Sequence, residues 1–179
     1  MNKFYAKDRK TWRNWLAKNH DKEKEVWLVR YHKASGKKCI SYEDSVQESL
    51  CFGWIDSTVR SNDKESTIQR FTPRNPKSRW SELNRERARR LVAKKLMTPA
   101  GAFLLPKDLN ETYKYPADII TELKKDREVW ENFEKFPEYY KRVRMAYIDE
   151  SRVVPQWYKS RLNNFIKATK KNRKIGTIL

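Results

Sequence analysis

The run Val26-Trp27-Leu28-Val29-Arg30-Tyr31-His32 constrains the fold more than any other stretch of the chain. β-Branched and aromatic residues favour a strand, and a continuous apolar run predicts a strand buried on both faces. Helical signals surround it. Asp8 is placed to cap a helix whose Trp12, Trp15 and Leu16 share one face, with His20-Asp21 at its end. After a turn at Ala34–Lys37, Ser41-Tyr42-Glu43-Asp44 has the spacing of a capping box. Val46, Leu50 and Trp54 follow at intervals of four, and Gly53 is suited to stop that helix. Ile55–Arg60 and Thr67–Thr72 read as two strands around the polar turn Ser61–Lys64, the second ended by Pro73 and Pro76.

Beyond this point the pattern turns helical. Ser81 caps a helix with Leu83, Leu91, Val92 and Leu96 on its apolar face and Arg85, Arg87, Arg89, Arg90, Lys94 and Lys95 on the other. Residues 100–115 read as loop. Pro116 opens one helix using Ile119, Ile120, Leu123, Trp130 and Phe133, and Pro137 a second using Tyr140, Val143 and Tyr147. Pro155 opens a third using Tyr158, Leu162, Phe165 and Ile166. The expected fold is α+β: a small sheet containing antiparallel strands, packed helices and a C-terminal helical region. Residues 1–101 form the mixed core, and residues 102–179 the helical region, packed on the same domain.

Only 38% of residues are apolar and 36% are charged, but seven Trp, nine Tyr and seven Phe supply large buried areas. A chain of 179 residues buries a core without disulfides or metals. Cys39 and Cys51 lack zinc-site spacing, and His20 and His32 do not complete a metal set. Two cysteines point to free thiols in a reducing compartment. No membrane-spanning run and no signal peptide is apparent, so the cytoplasm is the expected location.

The formal charge of +18 makes nucleic acid, an anionic membrane surface and acidic small ligands the candidate partners, and a basic surface without a specific partner accounts for the same charge. It is unevenly spread: residues 61–100 carry 11 basic and 4 acidic side chains, and residues 151–179 carry 8 basic and none acidic. Arg85 and Arg89, with Lys159, Lys167, Lys170, Lys171 and Arg173 in the tail, are candidates for nucleic-acid contacts, interleaved with Trp157, Tyr158 and Phe165. The tail aromatics also fit the core face of an amphipathic helix.

A second candidate is a polar cleft. Strand alternation puts Asp56, Thr58 and Arg60 on one face. The next strand delivers Arg74, and Ser78, Trp80, Ser81 and Asn84 lie at or near a helix N-terminus that favours an anion. A structural ion pair and an ordinary helix cap account for the same residues. Cys51 as a nucleophile needs a thiolate partner, which neither histidine supplies, so a buried inert thiol is expected. No catalytic triad, phosphate loop, metal motif or cofactor site is read from the chain.

The segments Tyr42-Glu43-Asp44-Ser45 and Cys51-Phe52-Gly53-Trp54-Ile55-Asp56-Ser57 are distinctive. They are followed by Arg60, Phe71-Thr72-Pro73-Arg74, Ser78-Arg79-Trp80-Ser81, Asn84, Met97 and Ala100-Gly101. This set, over roughly residues 25–101, resembles the YdeI/OmpD-associated family, also called bacteriocin-protection proteins. The tail from Pro137 to Gly176 resembles that family more loosely. It reads Ala168-Thr169-Lys170-Lys171-Asn172-Arg173 where the family has Ala-Lys-x-x-Glu-Thr-Arg. The resemblance implies an α+β domain with C-terminal helices and a link to envelope or antimicrobial stress, and no reaction. The expected function is non-enzymatic binding of an anionic partner. The alternative is an enzyme or small-ligand protein with a pocket around Asp56, Arg60, Arg74 and Trp80.

Overall fold

A computed structural model describes residues 2–176. The last three positions of the region expected to run to 179 therefore lie outside the described residues. The chain forms two compact units, Met1–Arg79 with Ala88–Leu109, and Trp80–Arg87 with Asn110–Leu179.

The first unit is built on a four-stranded mixed sheet of order β1-β2-β4-β3. Its strands are β1 (Lys3–Tyr5), β2 (Val26–Tyr31), β3 (Trp54–Ser61) and β4 (Ser66–Pro73). β1 runs parallel to β2, and β4 is antiparallel to both β2 and β3. As the sequence predicts, β2 is interior and its first four residues are buried. Trp27 and Val29 pack with Ile68 on one face.

Helices α1 (Arg9–Asn19) and α2 (Tyr42–Cys51) belong to the same unit. Asp8 caps α1 by accepting from Thr11 N at 2.8 Å, and Ser41 caps α2 by accepting from Asp44 N at 3.0 Å. The helices are joined by Trp12, whose Nε1 donates to Ser45 O and Ser49 Oγ, and by buried Glu48, which accepts from Arg9 and Arg13. Trp54 is a buried anchor, its Nε1 donating to His20 O at 3.0 Å.

Two elements were not legible in the sequence. β1 is too short to show an alternation. A short helix, α4 (Pro99–Phe103), stands where a loop is expected, capped by Thr98, whose hydroxyl also donates to Cys51 O at 2.6 Å. Gly101 is required there, because a Cβ would sit 2.3 Å from Cys51 O.

Both cysteines are free, Cys51 buried and Cys39 partly exposed. Burial, with Glu48 nearby, pushes the Cys51 thiol up to about 11, which makes it a poor nucleophile. Alkylation near neutral pH is expected to modify Cys39 alone in the folded protein and both thiols after denaturation, counted by intact mass.

The helix α3 (Glu82–Ala93) crosses the boundary between the units. Its buried face differs from the expected one. Leu91 is buried, but Val92 is 45% exposed, while Glu82, Glu86, Arg87 and Ala88 are buried. The reason lies far along the chain. Arg142 meets Glu86 at 2.8 Å and Glu82 at 3.5 Å within the second unit, so charged residues occupy positions that periodicity assigns to solvent.

The second unit also contains α5 (Ala117–Lys124), α6 (Arg127–Lys135), α7 (Glu138–Asp149) and α8 (Pro155–Lys170). The single helix expected from Pro116 is two, because Asp126 caps α6 by accepting from Glu128 N and Val129 N. The core of the unit includes Ile119, Leu123, Phe133, Tyr140, Met145 and Phe165. Tyr147, expected on the apolar face of α7, is exposed.

Candidate functional site

The expected common face of Asp56 and Arg60 is not formed. Asp56 lies opposite Phe71, whereas Val59 lies opposite Gln69 and Arg60 opposite Ile68. Three steps along β3 match two along β4, so the strand contains a β-bulge. One extra residue reverses the alternation and puts the side chains on opposite faces. Asp56 accepts from Tyr42 Oη at 2.8 Å and Gln69 Nε2 at 3.4 Å, beside α2. The Arg60 guanidinium lies over the Trp27 ring at 4.9 Å, on the other side of the sheet. The shared strand face on which the expected cleft rested is therefore absent.

Arg74 is buried and donates through Nη2 to Arg79 O at 2.7 Å, and burial holds its pKa below the ordinary guanidinium value. Ser78 Oγ donates to Asn75 O in the same connection. These contacts shape the Pro73–Arg79 loop. Arg74→Ala is expected to destabilise the protein by about 1.5–3 kcal/mol, the range for a hydrogen bond involving a charged group. Chemical denaturation reads this as a lowered midpoint with an unchanged slope.

Trp80, Ser81 and Asn84 belong to the second unit. Trp80 is buried, and Ser81 caps α3 by accepting from Asn84 N at 3.3 Å. Asn84 Oδ1 accepts from Arg87 at 2.8 Å. Arg85 and Arg89 are only half-exposed, and Arg89 donates to Leu109 O at 2.8 Å. Neither matches the solvated basic face expected of this helix.

The tail is different. α8 carries no acidic residue. Lys170 pairs with Asp126 at 2.6 Å and Arg152 with Asp118 and Asp149. Lys159, Lys167, Lys171 and Arg173 are exposed and make no ion pair among the described residues. Phe165 is buried in the core, but Trp157 is 57% exposed. Trp157, Arg161 and Asn164 recur at intervals of four and three, so they line one face of α8 over about 10 Å.

A cleft of about 210 Å³ opens beside that face, between α7 and α8. Arg144, Tyr147, Arg161, Asn164 and Phe165 contribute to its walls. Tyr147 meets two guanidinium groups, Arg144 at 4.7 Å and Arg161 at 3.9 Å from the ring centroid. Arg161 also donates to Tyr147 O at 3.0 Å. Arg144 is 8% exposed, and its Nε makes no hydrogen bond among the described residues. No carboxylate is paired with it among those residues. Burial, reinforced by the like charge of Arg161, lowers its pKa against the opposing influence of Tyr140 and Tyr147. A second shallow hollow, lined by Trp157, Ser160 and Arg161, shares Arg161 with the first.

Among the described residues no group of His, Cys, Asp and Glu is placed to hold a metal ion. No described helix is long and apolar enough to cross a membrane.

A family model described as a domain of unknown function (DUF8412) matches residues 4–103, over half of the chain. The chain belongs to this family. The model of the bacteriocin-protection, YdeI or OmpD-associated family matches residues 112–172. No curated protein and no solved structure matches the chain.

The motifs from Tyr42 to Gly101 that carry the sequence resemblance thus fall within the DUF8412 match. The YdeI/OmpD-associated match falls on the helical region, where the resemblance is looser. Arg144, Tyr147, Trp157, Arg161 and Asn164 all lie inside that second match. Sequence reasoning missed the cleft, though a signal was present. Arg144 has no acidic residue three or four positions away on either side, and α8 has none at all.

Proposed function

We propose that this chain is a non-enzymatic binding protein for an anionic partner, which it engages through the exposed side of α8 and the basic residues that follow it. The observation that carries the reading is that this segment combines exposed Trp157 with exposed Lys159, Lys167, Lys171 and Arg173, which have no carboxylate partner among the described residues. Several other basic residues of the second unit are matched: Arg142 by Glu82 and Glu86, Arg152 by two aspartates, Arg127 by Glu131. A basic surface spared from pairing, with an aromatic platform, suits a single-stranded polyanion. The match over residues 112–172 supports a place in protection against bacteriocins or related envelope stress. The two free thiols support action in the cytoplasm.

Binding of a labelled single-stranded oligonucleotide tests this reading. Contacts to about four phosphates give a log–log salt slope near −3 for a single strand. Replacing Lys159, Lys167, Lys171 and Arg173 together by Gln is expected to flatten the slope while leaving circular dichroism unchanged. Absence of binding at low salt, or a slope indifferent to the substitutions, contradicts it.

A further inference from the structure

We propose that the cleft between α7 and α8 is a phosphate site: Arg144 and Arg161 hold the phosphate group of a nucleotide, Asn164 orients it, and Trp157 stacks on the base. The proposal rests on the anion-binding reading of the C-terminal helices and adds the ligand group and the residues that grip it.

Three observations lead to it. First, Arg144 is buried, and among the described residues it has neither a carboxylate partner nor a hydrogen-bond acceptor for its Nε. A buried guanidinium of this kind is costly for folding, and the penalty is removed when an anion enters. Elsewhere in the unit, buried or partly buried charge is answered within the chain, as Arg142 is by Glu82 and Glu86. Second, Arg144 and Arg161 flank the same tyrosine and line the same opening. Two guanidinium groups converging on one small space match the two negative charges of a phosphate monoester better than the single charge of a carboxylate. Third, Arg161 also lies 6.0 Å from the Trp157 ring and lines the hollow that Trp157 borders. A phosphate held by Arg161 therefore leaves its attached base beside an exposed indole, where stacking is independent of base identity.

The phosphate can come from a free mononucleotide or from a strand. Both present the same group to the cleft, and the length of the ligand tells them apart. The full chain is titrated at constant ionic strength with adenosine 5′-monophosphate, with adenosine, with inorganic phosphate and with a short thymidine homopolymer, using calorimetry and tryptophan fluorescence. The monophosphate is expected to bind saturably, inorganic phosphate to compete with it, and adenosine to bind at least about tenfold more weakly. Arg144→Met is expected to weaken the monophosphate by about tenfold or more while leaving the melting temperature unchanged or higher, because a buried charge is replaced by an apolar side chain of similar length. Arg161→Gln and Asn164→Ala, at less buried positions, give the same loss and carry the test if Arg144→Met does not fold. Tighter binding of the homopolymer, weakened by the same substitutions, identifies a strand as the source. Equal or weaker binding identifies a mononucleotide. If neither phosphate nor the monophosphate binds, or if these variants bind like the wild type, the cleft is not a phosphate site. Homopolymer binding that survives those results leaves the broader reading standing, whereas loss of all binding removes both.

Discussion

Trp12→Ala is expected to destabilise the first unit by about 3–5 kcal/mol, the range for removing a buried indole. Trp12 is fully buried. Its ring stacks on Trp15 at 5.2 Å and meets Phe71 of β4 at 5.4 Å, so it joins α1 to the sheet. Its Nε1 also reaches Ser45 O and Ser49 Oγ on α2. Truncation removes apolar packing against both neighbours and the tie between the two helices. The nearby Arg9–Glu48–Arg13 network does not replace it, because those arginines are about one-third exposed and partly screened by water. Denaturant unfolding monitored by circular dichroism checks the size of the loss. A change below about 1 kcal/mol, typical of a surface substitution, is inconsistent with this packing.

The second large effect is expected at Phe165. This residue is buried in the core of the second unit, edge-on to Phe133 at 6.2 Å and tilted against Tyr140 at 6.5 Å. It also forms part of the cleft wall. Phe165→Ala is expected to cost about 3–5 kcal/mol and to loosen α8 from α6 and α7. Its effect on function separates it from the arginine substitutions. Phe165→Ala lowers stability and anion binding together, whereas Arg144→Met lowers binding without lowering stability. Thermal melts with parallel ligand titrations of the two variants make the comparison. Equal melting temperatures for Phe165→Ala and wild type contradict the core assignment.

The legible parts of the fold were those specified by neighbours in sequence. Val26–Tyr31 is an inner strand because its side chains favour a pleated, doubly buried surface, and Asp8 and Ser41 cap helices through bonds spanning three residues. The illegible parts depend on partners far along the chain. The Asp126 break between α5 and α6 competes with a continuous apolar pattern. Glu82 and Glu86 are buried because of Arg142, more than fifty positions away. The polar cleft on the strands was expected from strict alternation between Asp56 and Arg60, which one bulge undoes. The basic tail was legible as composition. The exposure of Trp157 and the isolation of Arg144 needed the packing of α7 on α8.

Tryptophan fluorescence of the full chain during titration with a single-stranded oligonucleotide at low salt tests the central claim most directly. Trp157 is the exposed indole among the large apolar side chains, so stacking on it is read as quenching. The expected result is saturable quenching, reversed by salt and abolished in Trp157→Phe while the remaining tryptophans stay unperturbed. Binding that leaves the emission unchanged, or quenching that persists in Trp157→Phe, places the partner elsewhere and contradicts the assignment of function to α8.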